Sequence, residues 1–199
     1  MAAVNGAAVP RRRKAHAVAI VLAIVLVLTG CAGPLGGGSK VSMEDAVKEL
    51  QARPDIEQTM IKYNQLMTDI KNALTTAGVT GAWEQSHDAG AGACNDYGNE
   101  GANELNAENR STPSWASTGI PEADWPRALE ILKRVTAAAG FTTMEVPQNK
   151  PGNHDLFIQG PYGAVLDFGT QVNTVMSIRS GCHRVPGLPI HREDVGPSF

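Results

Sequence analysis

The chain has 199 residues, enough for about one domain, and carries 17 Lys and Arg against 20 Asp and Glu. Four of these bases lie in the first fourteen residues and no acid precedes Glu44, so residues 31–199 carry 13 bases, 20 acids and a net charge of −7. That acidity argues against a nucleic-acid partner, which requires a basic face, and an apolar content of 42% argues against disorder of the whole chain.

The first thirty residues have the layout of an export signal. A basic cluster over 11–14 precedes an unbroken apolar run over 17–28. A helix of that length rises only about 18 Å, less than the roughly 30 Å of a hydrocarbon core, which is typical of a signal peptide. We predict a lipoprotein signal peptide at 1–30. An uncleaved signal anchor and an ordinary secretory signal are the alternatives, and the Arg-Arg pair lacks the continuation typical of twin-arginine export.

The four residues that close the apolar run, Leu28-Thr29-Gly30-Cys31, resemble a bacterial lipobox. The resemblance implies cleavage after Gly30, a diacylglyceryl thioether on Cys31, and acylation of the new α-amine by a chain such as palmitate. Two or three acyl chains anchor stably, since each buried CH₂ contributes about 0.8 kcal/mol. We therefore expect attachment to the extracytoplasmic face of the cell membrane through Cys31. A flexible Gly-rich tether over 31–41 and a single domain over 42–199 would follow.

Lipidation of Cys31 leaves Cys94 and Cys182 as an even pair in an exported protein. Outside the cytoplasm such a pair is more often a disulfide than two free thiols. The closed loop would hold nearly ninety residues, which corresponds to about 4–5 kcal/mol of stabilisation in the chain-entropy model. A metal is the weaker alternative: His183 follows Cys182, but no spacing typical of zinc ligands occurs.

Two helices are predicted within residues 42–77. Ser42 and Asp45 resemble a capping box at the first helix, Pro54 interrupts the pattern, and a second helix begins there and ends at Gly78. The apolar stripe of this second helix is either a partner-binding face or, as we favour, the side that lies on its own sheet. Its members are Ile56, Met60, Tyr63, Met67, Ile70, Leu74 and Ala77.

A first strand is predicted over 81–87, anchored by Trp83. Residues 88–119 are rich in Gly, Ala, Asn and Ser and read as a long surface loop, our candidate contact region. If 99–109 were helical, Glu100, Glu104 and Glu108 would share a face near Asp96. A solvated acidic face is favoured there over a calcium site, because the calcium-loop pattern is missing.

A third helix is predicted from Asp124, as its cap, to Gly140, and four strands follow. The predicted buried stripe of this helix is Trp125, Leu129, Leu132, Val135 and Ala139. The strands are expected at 141–146, 155–159, 164–168 and 171–179, with turns at 160–163 and 169–170. In the last strand Val175 is the single apolar residue on the polar side. This order predicts an α+β fold, an antiparallel β-meander sheet with helices packed on one face.

The chain resembles the LppA-like lipoproteins of mycobacteria over most of the part that follows the predicted signal peptide. The resemblance depends on the order of short motifs, namely Arg53-Pro54, Trp83 before Cys94, Trp125-Pro126, Gly140-Phe141 and Ser180-Gly181-Cys182. It implies an envelope lipoprotein domain and brings no catalytic residues with it.

Sequence signatures of enzymes fit poorly. Asp167-Phe168-Gly169 copies the magnesium motif of kinases, but the phosphate loop and the catalytic triplet are missing, so a strand running into a turn is favoured. No hydrolase nucleophile motif or zinc-protease motif occurs. Four histidines could converge near Asp88 or Asp155, although solvated loop histidines are the commoner case. They are His87, His154, His183 and His191.

The leading hypothesis is a non-catalytic binding or structural domain without a cofactor, whose partner is an envelope protein or a cell-wall component. The second is a carrier of a lipid or other apolar ligand, which requires a cavity between helices and sheet. Met60, Met67 and Met176 could line such a cavity, or fill the core. The third is a hydrolase whose site is not visible in the sequence.

Overall fold

The structure, a computed structural model, describes residues 42–94, 97 and 104–191. Its helices are α1 (Met43–Ala52), α2 (Ile56–Thr76) and α3 (Trp125–Ala137). Its strands are β1 (Glu84–His87), β2 (Gly90–Ala93), β3 (Ala107–Ser111), β4 (Ser114–Thr118), β5 (Thr143–Lys150), β6 (Asn153–Gln159), β7 (Val165–Thr170), β8 (Asn173–Arg179) and β9 (His183–Arg184). The predicted signal peptide, Cys31 and the tether lie outside the described residues.

The ends of α1 and α2 follow local chemistry. The Ser42 hydroxyl accepts a hydrogen bond from the Asp45 backbone N at 3.1 Å, as the capping pattern predicts. Asp55 caps α2 by accepting from the Gln58 backbone N at 2.9 Å, so the helix begins just after Pro54. Gly78 then adopts φ +68°, the left-handed conformation that ends a helix. No helix among the described residues is long and apolar enough to cross a membrane.

Helix α3 differs from its prediction at the cap and in its buried face. The Asp124 side chain makes no capping hydrogen bond, because residues 122–124 form a 3₁₀ turn that leads into the helix with helical backbone angles. The residues of α3 that are buried are Trp125, Ala128, Ile131, Leu132 and Thr136. Thr136 tolerates burial by donating its hydroxyl to the Phe141 carbonyl at 3.2 Å. Of the predicted stripe, Leu129 and Val135 only border the core and Ala139 is exposed.

The sheet is antiparallel and has the order β1-β4-β8-β7-β6-β5. Helices α2 and α3 pack on one face of it, which confirms the predicted α+β class with its β5–β8 meander. Strand β5 begins later than predicted and extends to Lys150, with an irregular register between Glu145 and Gln148 that accommodates Pro147. The β7–β8 turn lies at 171–172 rather than 169–170, because Gly169 is paired with strands on both sides.

The prediction of a long surface loop over 88–119 is wrong for much of its length, because β2, β3 and β4 lie within that range. Strand β1 pairs with β4, and β2 pairs with β3, both in the antiparallel sense. Strand β3 also pairs with β8 and β9. At the junction of β3 and β4, the Thr112 backbone N donates to the Ile178 carbonyl at 2.8 Å, and the Thr112 hydroxyl accepts from the Ile178 backbone N at 2.9 Å. Long-range pairing therefore holds residues whose own strand propensity is low.

The space between the helices and the sheet is filled by side chains from both layers. From α2, every predicted stripe residue except the partly buried Ala77 is buried, so this helix lies on its own sheet. The sheet and α3 supply the other side of this core. Its largest fully buried members include Ile56, Met67, Ile70, Leu74, Leu132, Phe141, Leu156, Ile158, Leu166 and Ile178.

A second, smaller core surrounds a disulfide. Cys94 and Cys182, the pair expected from the cysteine count, are bonded with their Cα atoms 5.5 Å apart. Both cysteines are buried together with Leu50 of α1 and with Leu105. The Arg53 guanidinium donates to the Cys182 carbonyl at 2.7 Å. The disulfide joins the segment that follows β2 to the segment that follows β8, and α1 packs against it.

Candidate functional site

The face of the sheet that points away from α2 and α3 is exposed. Along β6 the side chains of His154, Leu156 and Ile158 are buried on the helix side, whereas Asp155 and Phe157 between them are exposed. Strand β8 alternates in the same way. The period of two residues in a strand therefore places one set of side chains in the core and presents the other set on this open face.

Two rows of side chains cross the open face from strand to strand. The first row begins with Glu145, Phe157, Asp167 and Ser177, on β5, β6, β7 and β8. It reaches the region of Ser114 and His87, which are paired between β4 and β1. The second row has one residue on each of the six strands. Its members are Gln148, Asp155, Gly169, Val175, Ala116 and Glu84.

Between these rows lies an open cleft of about 440 Å³, lined by residues from β1, β4, β6, β7 and β8. Two apolar side chains remain exposed in it, Phe157 at 37% and Val175 at 46% of their surface. Gly169 forms part of its floor, and a Cβ atom there would lie 2.5 Å from the Asp155 carboxylate oxygen. The absence of a side chain at 169 thus leaves room for that carboxylate.

The electrostatics of the open face are set by its carboxylates. Burial raises the pKa of the Asp167 carboxyl, an effect that the charge of Arg179 partly opposes. Within the described part of the chain, neither the Asp155 carboxylate nor the Asp167 carboxylate forms a hydrogen bond or an ion pair. Glu145 accepts a hydrogen bond from the Gln159 amide at 2.5 Å. The carboxylates of Asp155 and Asp167, which have no donor within the described residues, can accept hydrogen bonds from a ligand and attract positive charge.

The structure separates the four histidines rather than bringing them together. His87 lies on the open face, and His191 is 3.9 Å from Glu104 at another edge. His154 is buried on the helix side, stacked on Trp125 with ring centroids 4.2 Å apart, and its Nε2 atom is 3.0 Å from a Glu122 carboxylate oxygen. That carboxylate also accepts from the Gly152 backbone N at 2.7 Å, so the contact ties the β5–β6 hairpin to the start of α3.

His183 is buried beside the disulfide. Its Nδ1 atom is 2.9 Å from the Pro54 carbonyl, and its ring meets the Tyr162 ring edge-on at 5.6 Å. Its Nε2 atom has no hydrogen-bond partner among the described residues. Burial lowers the pKa of the His183 imidazole, and the charge of Arg53 lowers it further, against opposing contributions from the Pro54 carbonyl and Asp55.

Other residues singled out in the sequence take structural positions. Asp167, Phe168 and Gly169 lie within β7, where Phe168 is in the core. Glu108 lies on β3 and pairs with Arg110, so it is not on the helix considered for residues 99–109. Asp96 and Glu100 lie outside the described residues. In the described part of the chain, no three His, Cys, Asp or Glu side chains are grouped closely enough to hold a metal ion.

Sequence reasoning placed the contact region at 88–119 and missed the open face, although Ser114 belongs to both regions. The one available signal is Val175, the apolar residue on the polar side of β8. Phe157 gives no comparable signal, because the predicted strand at 155–159 is too short and too apolar to assign its exposed side.

The fold defines the class of protein as a two-layer α+β domain with an exposed sheet face and one disulfide. Residues 36–185 match the model of the LppA family, described as a lipoprotein confined to pathogenic Mycobacterium. The chain belongs to this family, which confirms the resemblance seen in the sequence motifs. Membership of a lipoprotein family associates the protein with the cell envelope. The family description names no catalytic activity.

Two crystal structures have a similar fold. The lipoprotein LppA from Mycobacterium tuberculosis is 16% identical, with a TM-score of 0.56 over 73% of this chain and 89% of that chain. A DUF4853 family protein from Actinomyces odontolyticus is 14% identical, with a TM-score of 0.51 over 75% of this chain and 81% of that chain. At these identities the likeness establishes the fold alone. Among curated proteins, none matches the sequence.

Proposed function

We propose that a lipid on Cys31 holds the protein at the extracytoplasmic face of the cell membrane, and that its domain is a non-catalytic binding module. Membership of a lipoprotein family and the sequence Leu28-Thr29-Gly30-Cys31 support the anchor. The buried disulfide is typical of proteins that fold outside the cytoplasm. A tether over 31–41 reaches at most about 40 Å when extended, which keeps the domain near the membrane.

The observation that carries the binding role is the exposed cleft on the open face. Phe157 and Val175 expose apolar surface next to the carboxylates of Asp155 and Asp167, on a rigid sheet whose opposite side is packed. Binding sites commonly combine apolar surface with a few polar groups in a concave setting. The partner we propose is a protein or cell-wall component of the envelope that covers this face.

Carriage of an apolar ligand is less well supported. It requires a cavity between the helices and the sheet, and the side chains considered as its lining, Met60, Met67 and Met176, are buried members of the core. The cleft of about 440 Å³ lies instead on the outer side of the sheet and is open to solvent. This arrangement is more typical of a surface that binds a partner than of an enclosed ligand pocket.

The anchor is tested by replacing Cys31 with Ala in cells fed a clickable fatty acid. We expect the wild-type protein to incorporate the label and the Cys31→Ala protein to remain an unlabelled precursor. Equal labelling of both proteins would show that Cys31 is not the modified residue. Fractionation of the same cells reports whether membrane attachment is lost together with the label.

The binding role is tested by photo-crosslinking in mycobacterial cells. A photoreactive amino acid is placed at Val175 on the open face or, as a matched control, at Ile61, which is 71% exposed on α2. We expect a discrete adduct from position 175 that is absent at position 61. Adducts that are identical at the two positions, or none at position 175, would contradict a binding role for the open face.

A further inference from the structure

We infer that the first row of the open face binds a cationic side chain, lysine or arginine, of a polypeptide partner. The inference rests on the proposed function, because it names the chemistry that the same face recognises. Its centre is Phe157, whose ring is exposed between two carboxylates on the neighbouring strands. Glu145 is the direct cross-strand neighbour of Phe157 on β5, and Asp167 is its direct neighbour on β7.

Direct cross-strand neighbours have their Cβ atoms about 4.5–5.5 Å apart, so the Glu145 and Asp167 side chains start next to that of Phe157. Asp155 precedes Phe157 by two residues and is exposed on the same face. Three acidic residues thus occupy positions on the open face that neighbour Phe157. The face of an aromatic ring attracts a cation within about 6 Å, and adjacent carboxylates add charge attraction and hydrogen-bond acceptors.

The protein compensates these carboxylates only in part, because the charge of Arg179 acts on Asp167 and the Gln159 amide donates to Glu145. Arg179 and Lys150 are the bases nearest to this part of the open face along the strand register. Arg179 is one row away on β8, opposite Val165, and Lys150 lies at the hairpin end of β5, opposite Asn153. Among the described residues, neither base forms an ion pair with Asp155, Asp167 or Glu145. Asp167 is half-buried without a donor, an arrangement that a donor from a partner would complete.

The rest of the cleft favours a polypeptide as the source of the cation. Ser177 continues the row beyond Asp167, and Ser114 and Val175 also line the cleft, so hydroxyl and apolar groups lie along a trough that crosses several strands. A peptide segment can place one basic side chain at Phe157 and further contacts along this trough. A bare metal ion fits less well, because no three ligating side chains converge in the described residues.

The test uses residues 31–199 with Cys31→Ala, which removes only the lipid, and follows backbone amide signals by NMR at low salt. The probe is Nα-acetyl-lysine methylamide, and the matched neutral probe is Nα-acetyl-norleucine methylamide. We expect the lysine probe to cause saturable shifts centred on residues 145, 157 and 167. Phe157→Leu and Asp167→Asn should each weaken its binding by about two- to fivefold, whereas Glu130→Gln on α3 should leave it unchanged.

Four results would overturn the inference, three of them with the lysine and norleucine probes. The norleucine probe could bind as well as the lysine probe, or the shifts caused by lysine could spread evenly over all exposed carboxylates, including Glu130. The third result is that Phe157→Leu and Asp167→Asn bind the lysine probe as well as the wild type does. Shifts caused by N-acetylglucosamine but not by lysine would assign the face to glycans instead. A crosslink from Val175 combined with any of these results would retain the binding role and reject only the cationic partner.

Discussion

Two glycines show how single residues serve different parts of the molecule. Gly181 passes directly against the backbone of the Pro161–Gly163 turn, where a Cβ atom would lie 1.7 Å from the Tyr162 carbonyl oxygen. Gly169 makes room for the Asp155 carboxylate on the open face. The first glycine is therefore required for the fold, and the second shapes the surface that we propose binds a partner.

Gly181→Ala should destabilise the domain by about 3 kcal/mol or more, because the atom it meets belongs to the backbone and cannot rotate away. Gly152→Ala is the control. Gly152 has φ +72° and nothing within 4 Å of an added Cβ, so the substitution should cost only the backbone strain of about 1–2 kcal/mol. Urea unfolding of both variants measures the difference, and equal losses would contradict the close approach at Gly181.

His183 should make the domain less stable in mild acid. Its pKa is lowered in the folded state, so the unfolded chain binds the proton more readily and stability falls as the pH drops through about 6.5. The groups that face it are Arg53, Asp55, Thr59 and Tyr162. The loss is bounded by the slope for one proton, about 1.4 kcal/mol per pH unit.

The measurement is the free energy of unfolding at pH 7 and pH 5. We expect His183→Gln to lose less stability over this interval than the wild type. Ile61→Ala, which changes an exposed side chain that does not titrate, should lose as much as the wild type. If all three proteins lost stability equally, the acid sensitivity would have to come from other groups.

At the scale of elements, α2 shows why periodicity predicts some structures well. Its stripe repeats over most of its length, and the helix buries that stripe against strands that alternate just as regularly. Regular patterns of this kind need no knowledge of the partner. The prediction that α2 packs on its own sheet therefore agrees with the structure, and it can be tested at one buried position.

Leu74→Ala should cost about 2–5 kcal/mol, since Leu74 is fully buried in the core shared by α2 and the sheet. Ile61→Ala, on the exposed side of the same helix, should change stability by less than about 0.5 kcal/mol. Thermal melts of both variants provide the comparison. A shift of less than a degree for Leu74→Ala would mean that the stripe is not packed internally.

Elements that depend on distant partners could not be predicted from the sequence. Strands β2, β3 and β4 have low local propensity, and the pairing that holds them extends to β8 and β9. The buried face of α3 was misassigned because Ala128 and Thr136 were not counted as core residues. The open face gave even less signal, because its rows form only when six strands are in register.

At the scale of the whole molecule, the two faces of the sheet differ, because one is packed against helices and the other is exposed. The helix side holds the main core, and the disulfide, against which α1 packs, joins the chain after β2 to the chain after β8. The proposed anchor precedes α1 along the chain. The main core thus lies on the opposite side of the sheet from the open face, which we propose binds an envelope partner.

The most direct test of this account is carboxyl footprinting of the native protein in intact envelope and after purification. A carbodiimide and glycine ethyl ester label exposed carboxylates, and mass spectrometry compares each site between the two samples. We expect Asp155, Asp167 and Glu145 to be labelled several-fold less in the envelope than in the purified protein. Glu130 on α3, whose side chain is 75% exposed, should be labelled equally in both. Equal labelling of the open-face carboxylates in the two samples would contradict the claim that a partner covers this face.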